Sequence, residues 1–352
     1  MIRAVALAAA LGALVAAAGA AQETAGTAAA PPAGAADKFY LRPTAIFYEH
    51  LYEGEFLEPM SVFLESKSGE IFVADTKNNL VGIFTFEGAP LFAFGSDELR
   101  EPSKVAVDAG GRVYVLDNDR GKIKVFSYRG EYLGPLQLPG VGEKPAWGAL
   151  TFDSDGNLYV GENESCHVFV FGPDRRLRLR LGECGVGPGQ FQAITGIAAD
   201  KERIAVTDAQ AVAVQVFDRR GDFVRGWGAH DMGIQNFSLP QSVAFDSKGH
   251  IVVIDTLRHE VKFFDGEGHF LDRFGGLGNR IGQLSFPTGV ATDGSGRVIV
   301  VEKGNSRVQV FAEEEGILRD TENGTKGSSD RTPSNVPPQR ASGRGLPAGR
   351  AD

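Results

Sequence analysis

Six carboxylates recur along the chain at nearly constant spacing and are the first candidates for chemistry. They are Asp75, Asp117, Glu162, Asp208, Asp255 and Glu302, separated by 42, 45, 46, 47 and 47 residues. A hard cation such as Ca²⁺ prefers carboxylate oxygens but needs several of them within about 2.5 Å, and positions one repeat apart are too distant to share an ion. Alternatively, each carboxylate accepts backbone N–H groups of the loop that follows it. Calcium is thus the only cofactor that the sequence leaves open.

The sequence contains no recognisable catalytic set, and we predict no catalytic residue. A three-histidine zinc site is disfavoured because no two histidines share a useful spacing. The six are His50, His167, His230, His250, His259 and His269. A Gly-x-Ser-x-Gly elbow and a phosphate-binding loop are both absent from the sequence. Cys166 and His167 are adjacent, and neighbours in a strand point to opposite faces, so they do not form a nucleophile and base pair.

Each of the six carboxylates ends the same short phrase, which defines a repeating unit. The phrase is IFVAD (71–75), VYVLD (113–117), LYVGE (158–162), IAVTD (204–208), IVVID (251–255) and VIVVE (298–302). A period of about 46 residues is too long for a leucine-rich or ankyrin unit and suits a four-stranded propeller blade.

Each unit divides into four short strands separated by turns. The first strand precedes the phrase, as in SVAFD (242–246), and a turn such as DSDG (153–156) follows it. The phrase is the second strand, and strands such as VKFFD (261–265) and FLDRFG (270–275) come third and fourth. The first two strands are nearly all apolar, whereas the third and fourth alternate with Lys, Arg and Gln, which predicts that these two lie toward the rim. The predicted fold class is all-β, a six-bladed β-propeller of four-stranded antiparallel blades.

The sixth unit ends after its third strand, at Phe311, so its fourth strand must come from elsewhere. An open edge strand would invite aggregation, and a propeller therefore has to close. The segment TAIFYEHLYEGEFLEP (44–59) has the layout of a fourth strand followed by the lead-in to a blade. We predict that residues around 46–48 complete the last blade, so that an N-terminal strand closes the ring. The alternative is closure by residues 317–318.

The best copy of the unit is FPTGVATDGSGRVIVVEKGNSRVQVF (286–311). The pattern resembles the NHL-repeat family of six-bladed β-propellers over roughly residues 45–311. Tryptophan-aspartate and kelch propellers fit worse, because neither a repeated Trp-Asp end nor a Gly-Gly pair appears in register. Peptide-amidating lyases of six-bladed form use axial histidines around zinc, and no histidine here falls in an axial first-strand position. Gluconolactonase-like propellers need paired Asn on inner strands, which carry none here.

In propellers, ligands usually meet the face at which the first strands begin, and two rings of residues are expected there. The first ring is Met60, Ser103, Gly148, Thr195, Gln241 and Thr288, and the second is Ser61, Lys104, Ala149, Gly196, Ser242 and Gly289. Small residues dominate the second ring, as expected where six strands converge. From these rings we predict Lys104, Thr195, Gln241 and Thr288 as ligand-binding residues.

Lys104 is a lone cation near the expected channel mouth, where it could anchor an anionic ligand. Alternatively it extends to water or pairs with a nearby carboxylate such as Glu101. The loops of the same face carry Asp119, Arg120, Lys122, Arg258, His259, Lys303 and Arg307. We predict Arg120, Arg258 and His259 as further ligand contacts, because mixed exposed charges suit a protein or glycan, although a soluble surface has the same composition.

The only two cysteines flank a predicted hairpin in the third blade. Cys166 opens the third strand, and Cys184 lies just past the fourth. The turn at 172–175 brings Cys166 opposite about Gly182, which places Cys184 within reach. In an exported protein we predict a disulfide between them, with two free thiols as the alternative.

The two ends of the chain have a different composition from the repeats. Residues 1–21 show Arg3, an apolar run and a small-residue cleavage site, which predicts a secretory signal; an uncleaved anchor is the alternative, but the run is short and Ala-rich. Residues 22–36 are predicted to be a flexible linker, 37–318 the propeller and 319–352 a disordered tail. We expect a periplasmic or secreted protein without a transmembrane segment. The late arginines of the tail could alternatively contact an acidic surface.

The net charge is −9, or −10 without Arg3, which argues against nucleic acid as a partner. An RNA-binding face, implied by the resemblance to some NHL proteins, conflicts with this acidity and with export. We expect a monomeric, non-catalytic binding or scaffolding module that presents one propeller face to a protein, peptide or glycan. The alternative is a metal-dependent enzyme, a lyase or lactone hydrolase, that uses the axial pocket.

Overall fold

The computed structural model of the 352-residue chain describes residues 41–118, 121–142 and 145–313. Regular structure in these residues is entirely β, and no helix there is long and apolar enough to cross a membrane. The predicted signal segment, linker and tail lie outside the described residues. So do residues 317–318, the alternative closing segment.

Six four-stranded antiparallel sheets form the six blades. The described chain starts with β1 (Leu41–Phe47) and the short hairpin of β2 (Glu49–His50) and β3 (Gly54–Glu55). From the axis outward, blade 1 contains β4 (Pro59–Glu65), β5 (Glu70–Asp75), β6 (Leu80–Phe84) and β7 (Pro90–Phe94). Blade 2 contains β8 (Pro102–Val107), β9 (Val113–Asp117), β10 (Lys122–Phe126) and β11 (Tyr132–Pro135). Blade 3 contains β12 (Trp147–Phe152), β13 (Leu158–Glu162), β14 (His167–Phe171) and β15 (Leu177–Leu181).

Blades 4 to 6 repeat the same order, and the last blade borrows its outer strand from the start of the fold. They contain β16 (Ile194–Ala199), β17 (Arg203–Asp208), β18 (Val214–Asp218) and β19 (Phe223–Trp227); β20 (Pro240–Phe245), β21 (Ile251–Asp255), β22 (Glu260–Phe264) and β23 (Phe270–Gly275); β24 (Pro287–Thr292), β25 (Val298–Glu302), β26 (Arg307–Glu313) and β1. The predicted all-β class with six four-stranded blades is confirmed.

Closure by an N-terminal strand is also confirmed. Strand β1 pairs antiparallel with β26, with Ala45 opposite Val310 and Phe47 opposite Val308. Leu41 lies opposite Glu313, so the first and last described residues are neighbours. The ring is therefore sealed by backbone hydrogen bonds between the two ends of the fold.

The core lies between adjacent blades, because each sheet has two faces and packs both. Phe72 and Val81 of blade 1, for example, pack against Val105 and Val115 of blade 2 in one buried cluster. Burying each side chain of this kind contributes about 1.5–3 kcal/mol, so the six interfaces supply most of the stabilisation.

The third strands lie third from the axis, toward the rim as predicted, but they are not exposed. They are buried, as β10 and β22 show, and only the fourth strands are largely exposed. Lys124 and Lys262 therefore lie inside the blades rather than at the rim. The reason is electrostatic, since each ammonium pairs with a buried carboxylate at the end of the neighbouring second strand, as described below.

Two arginines join neighbouring blades at the face where the first strands end. Arg175 of blade 3 donates to Asp108 of blade 2 at 3.1 Å, and Arg219 of blade 4 donates to Asp153 of blade 3. Burial opposes ionisation of Asp153, but hydrogen bonds from Arg219 and Asn157 outweigh it and lower the pKa of this carboxyl. These contacts hold neighbouring blades together at the face where the first strands end.

Candidate functional site

We call the top face of the propeller the one at which each first strand begins and each second strand runs into the third. The bottom face is the opposite one. The top face carries six lead-in loops, each of which precedes the first strand of a blade, and the six loops between second and third strands. The predicted ligand-binding residues that the structure describes belong to this end of the molecule or to the start of the first strands.

Two of the predicted ring residues are occupied in joining blades. The hydroxyl of Thr195 in blade 4 donates to Pro240 O of blade 5 at 2.7 Å. The hydroxyl of Thr288 in blade 6 donates to Pro59 O of blade 1 at 3.2 Å, and this side chain is buried. Gln241 is half-buried and forms no hydrogen bond with another described residue. Of these three side chains, Gln241 is thus the one whose polar atoms are available to a ligand.

Lys104 reaches from blade 2 to blade 4 and does not pair with Glu101. Its Nζ donates to Thr195 O at 2.9 Å, which spans from blade 2 to blade 4 past Ala149 of blade 3. Glu101 pairs with Lys77 at 2.6 Å, so the alternative of a Lys104–Glu101 pair is wrong. Burial lowers the pKa of Lys104 to about 8. A cation that has no acidic partner and is partly desolvated is poised to accept an anion.

The small residues of the second ring allow the first strands to converge. A Cβ atom on Gly196 would lie 3.0 Å from Ser242 Cα, and one on Gly289 would lie 3.2 Å from Ser61 Cα. Below this ring the axis is hollow, with a cavity of about 230 Å³. Lys104 is the one charged side chain among the described residues that line it.

The six repeated carboxylates are buried and act locally. Each accepts an N–H group from the lead-in loop of its own blade, for example Asp75 from Leu57 at 3.0 Å and Glu302 from Ser285 at 2.8 Å. Among the described residues, the predicted backbone bonds from the following loop are present at Glu162 and Asp208. Within the described residues no group of three His, Cys, Asp or Glu side chains is placed to hold a metal ion.

A second partner reaches three of these carboxylates from one register position. The position is the third-strand residue opposite the one two before the carboxylate, and the six blades place there Gly82, Lys124, Phe169, Gln215, Lys262 and Gln309. Lys124 lies 3.0 Å from Asp117 and Lys262 lies 3.1 Å from Asp255. Gln309 donates to Glu302 at 2.6 Å. In these three blades the bonds help to tie the lead-in loop to its blade and so shape the top face.

In blade 1, the second partner of the buried carboxylate is a residue from outside the repeat. His50, on the hairpin β2–β3, places its Nε2 2.8 Å from Asp75 Oδ2. Its ring packs edge-on against Phe56 at 4.5 Å between centroids and occupies the space above Gly82. A Cβ atom on Gly82 would overlap this ring, which explains the glycine. The sequence analysis missed this role of His50.

The predicted charged contacts of the loops are largely engaged. Arg258 donates to Gly233 O at 2.7 Å and to Asp231 O, and so holds the lead-in loop of blade 5. His259 Nδ1 accepts from Phe286 N at 3.0 Å. Arg307, expected to be exposed, is buried and paired with Glu302 at 2.6 Å, because it satisfies a buried carboxylate. Arg120 and Asp119 lie outside the described residues.

Exposed apolar side chains concentrate on one part of the top face, which we call the apolar arc. Its members are Tyr52, Leu57, Val186, Met232, Ile234, Leu257, Leu277, Ile281 and Phe286. They lie on the lead-in loops of blades 4, 5, 6 and 1 and on one second-to-third loop of blade 5. Tyr52 is 95% exposed and Met232 89%. Large apolar side chains exposed on the loops of four consecutive blades are candidates for an interaction site.

The lead-in loops of blades 2 and 3 do not expose large apolar side chains in this way. In the first, Leu99 is fully buried and its neighbours Asp97, Glu98 and Arg100 are charged. In the second, Leu136 and Val141 pack against the blades. Sequence reasoning missed the arc, although large apolar residues in glycine-rich loops such as HDMGIQN (230–236) and LGNRIGQ (277–283) were a usable signal.

The predicted disulfide between Cys166 and Cys184 is confirmed. The two Cα atoms lie 4.9 Å apart and 18 residues separate them in sequence. The bond joins the start of β14 to the lead-in loop of blade 4, which carries Val186 of the apolar arc. It therefore fixes the loop at one end of the arc.

The sequence model of the NHL repeat matches residues 99–126 and 284–311. These segments are the parts of blades 2 and 6 that contain the first three strands. The chain is a six-bladed β-propeller with NHL repeats at these two positions. Protein brain tumor of Drosophila melanogaster is 26% identical to this chain over 137 residues, which are 37% of this chain and 13% of that protein.

Solved structures share the fold of this propeller at low sequence identity. A gluconolactonase from Xanthomonas campestris superposes with a TM-score of 0.57 at 16% identity, covering 81% of this chain and 98% of that one. Virginiamycin B lyase from Staphylococcus aureus superposes with a TM-score of 0.53 at 14% identity, covering 78% and 99%. At these identities the likeness concerns the fold alone, because unrelated functions are built on one propeller scaffold.

Proposed function

We propose that this protein is a non-catalytic binding module that docks a polypeptide on the apolar arc. The observation that carries the proposal is the asymmetry of the top face. Four consecutive blades expose large apolar side chains, such as Met232, Ile281 and Leu277, whereas the loops of blades 2 and 3 bury theirs or carry charges. Solvent exposure of such side chains is unfavourable unless a partner covers them.

The composition of the arc favours a polypeptide over a glycan. Seven of its nine members are aliphatic or methionine, and only Tyr52 and Phe286 are aromatic. Apolar side chains of a partner protein match this surface, and methionine is well suited to it because its unbranched side chain adapts its shape. A glycan would need more aromatic rings to stack on its sugars.

The loops that carry the arc are held in place before any partner binds. Arg258 bonds two carbonyl groups in the lead-in loop of blade 5, and the disulfide bond anchors that of blade 4. His50 secures the hairpin next to Tyr52 through Asp75. Preorganised loops lose little conformational entropy on association, so more of the interface energy appears as affinity.

The disulfide supports a second part of the proposal, namely that the protein acts in an oxidising compartment, the periplasm or the extracellular space. A thiol assay on protein isolated from its own cell would test this. Both cysteines should be unreactive without a reductant, and two reactive thiols would contradict export.

The alternative is a metal-dependent lyase or lactone hydrolase that uses the axial pocket. The likeness to a lyase and a lactonase motivates it, but the described residues around the axial cavity include neither histidine nor carboxylate. Elemental analysis of the purified protein separates the two functions. A stoichiometric Zn²⁺ or Ca²⁺ would favour the enzyme, and no bound metal is expected for the binding module.

The decisive experiment compares two pairs of charge substitutions. Met232→Asp with Ile281→Asp changes the arc, and Leu133→Asp with Val224→Asp changes exposed apolar residues on the rim strands of blades 2 and 4 as a control. Partners captured by the wild-type protein are identified, purified and titrated against all three proteins. Losing two buried apolar contacts should cost at least about 3 kcal/mol, a weakening of more than 100-fold, for the arc pair only. Equal Kd values for the arc pair and the control pair would refute the proposal.

A further inference from the structure

The axial cavity is a second candidate site, separate from the apolar arc. Its lining extends from the second ring, with Ser61 and Lys104, to the last residues of the first strands, such as Phe152, Phe245 and Thr292. No residue of the first ring is part of this lining. The cavity therefore lies below the top face and extends toward the bottom face.

The upper end of this cavity, at the level of the second ring, has hydrogen-bond donors that are not used within the protein. A lysine ammonium group carries three donors, and Lys104 uses one of them on Thr195 O. At the same level, Ser61 Oγ accepts from Val105 N at 3.3 Å and Ser242 Oγ accepts from Val290 N at 3.2 Å. Neither serine hydroxyl donates a hydrogen bond to another described residue, so both O–H groups are available to a ligand as well.

The rest of the cavity is lined by uncharged residues. Val62, Leu150, Ile197 and Val243 belong to the lining and pack into the interfaces between blades, and the described lining residues include no Asp or Glu. The six first strands carry one other titratable side chain besides Lys104, namely Glu65 at the bottom end of β4, which is bonded to the backbone of Ser68 at 2.7 Å. A cation faced by hydroxyl donors, with no carboxylate among the described lining residues, is complementary to a small anion.

The volume limits the size of the ligand. About 230 Å³ corresponds to about eight water molecules at 30 Å³ each, and so to a molecule of about eight non-hydrogen atoms. We propose that the axial cavity binds a small organic carboxylate, whose oxygens accept hydrogen bonds from Lys104, Ser61 and Ser242 and whose remaining atoms lie along the first strands toward the bottom face.

Isothermal titration with butyrate and benzoate, and with the neutral isosteres butyramide and benzamide, tests this site. The wild-type protein should bind the acids at least tenfold more tightly than the amides, because only the acids carry the charge that Lys104 recognises. Lys104→Met keeps the length of the side chain and should reduce the affinity for the acids to that of the amides. Lys77→Met removes an exposed lysine of the same face and should change nothing.

The pH dependence of the wild-type protein gives a test that does not depend on the folding of a variant. With a pKa of about 8 for Lys104, raising the pH from 7 to 9.5 should weaken acid binding by about 30-fold, whereas an unperturbed lysine would give about 1.1-fold. Glu65 does not interfere, because a carboxyl is ionised throughout this range. Equal affinity for acids and amides, unchanged binding by Lys104→Met, or no binding of either acid at 50 mM would each overturn the proposal. None of these results bears on the apolar arc.

Discussion

Replacing Gly82 with lysine should make His50 dispensable. In blades 2 and 5 the equivalent third-strand residues, Lys124 and Lys262, neutralise the buried carboxylate from within the repeat. In blade 1 this position is Gly82, and the His50 ring fills the space and bonds Asp75 instead. A lysine at position 82 should therefore be able to replace His50 as the partner of the buried carboxylate.

The two single substitutions should both be destabilising. His50→Ala removes the partner of a buried carboxylate and leaves a cavity, which should lower the free energy of unfolding by about 3–5 kcal/mol. Gly82→Lys overlaps the ring and should cost about 1–3 kcal/mol or more. In the double variant the new ammonium can reach Asp75 through the space that the ring has left. Its stability should lie within about 2 kcal/mol of the wild type, a coupling of at least about 2 kcal/mol.

Urea unfolding followed by the fluorescence of Trp147 and Trp227 measures all four proteins. Gly82→Gln with His50→Ala is a matched control, because Gln215 and Gln309 occupy the same position in blades 4 and 6. Strictly additive losses in both double variants would refute the equivalence of the blades at this position.

Two further predictions concern stability. Replacing Cys166 and Cys184 with serine should lower the free energy of unfolding by about 3 kcal/mol, because the bond closes a loop of about 18 residues; a reductant should produce the same loss in the wild type, and no loss in either case would contradict the entropic argument. Arg219→Met should cost about 1–2 kcal/mol at pH 7 by removing a charged hydrogen bond to Asp153. Because a lowered carboxyl pKa contributes stability that is lost as pH falls through the folded-state pKa, this variant should also unfold at a higher pH during acid titration, and an unchanged acid midpoint would contradict the role of Arg219.

The fold could be predicted from the sequence because its information is local and repeated six times. Each second strand can be recognised from a phrase such as IVVID (251–255), and the missing strand of blade 6 is evident as a gap in the period. The disulfide was predictable for the same reason, since the register of one hairpin places Cys166 near Cys184.

Contacts between blades could not be predicted in the same way. The partner of Lys104 is a carbonyl group 91 residues away, at Thr195, and the partner of Asp75 is His50 from a hairpin that has no counterpart in the repeat. Arg307 was expected at the surface because its charge is visible in the sequence, whereas the buried carboxylate that it satisfies depends on strand register. Pattern analysis therefore located the rings of the candidate site but not which of their groups remain free.

The pairing of Leu41 with Glu313 also decides how the molecule can be attached to anything else. Because β26 runs from the top face to the bottom face, the polypeptide enters and leaves the propeller side by side at the lower rim of blade 6. A domain or tag fused directly before Leu41 or directly after Glu313 would thus be attached at the underside of the propeller, on the face opposite Met232 and its neighbours.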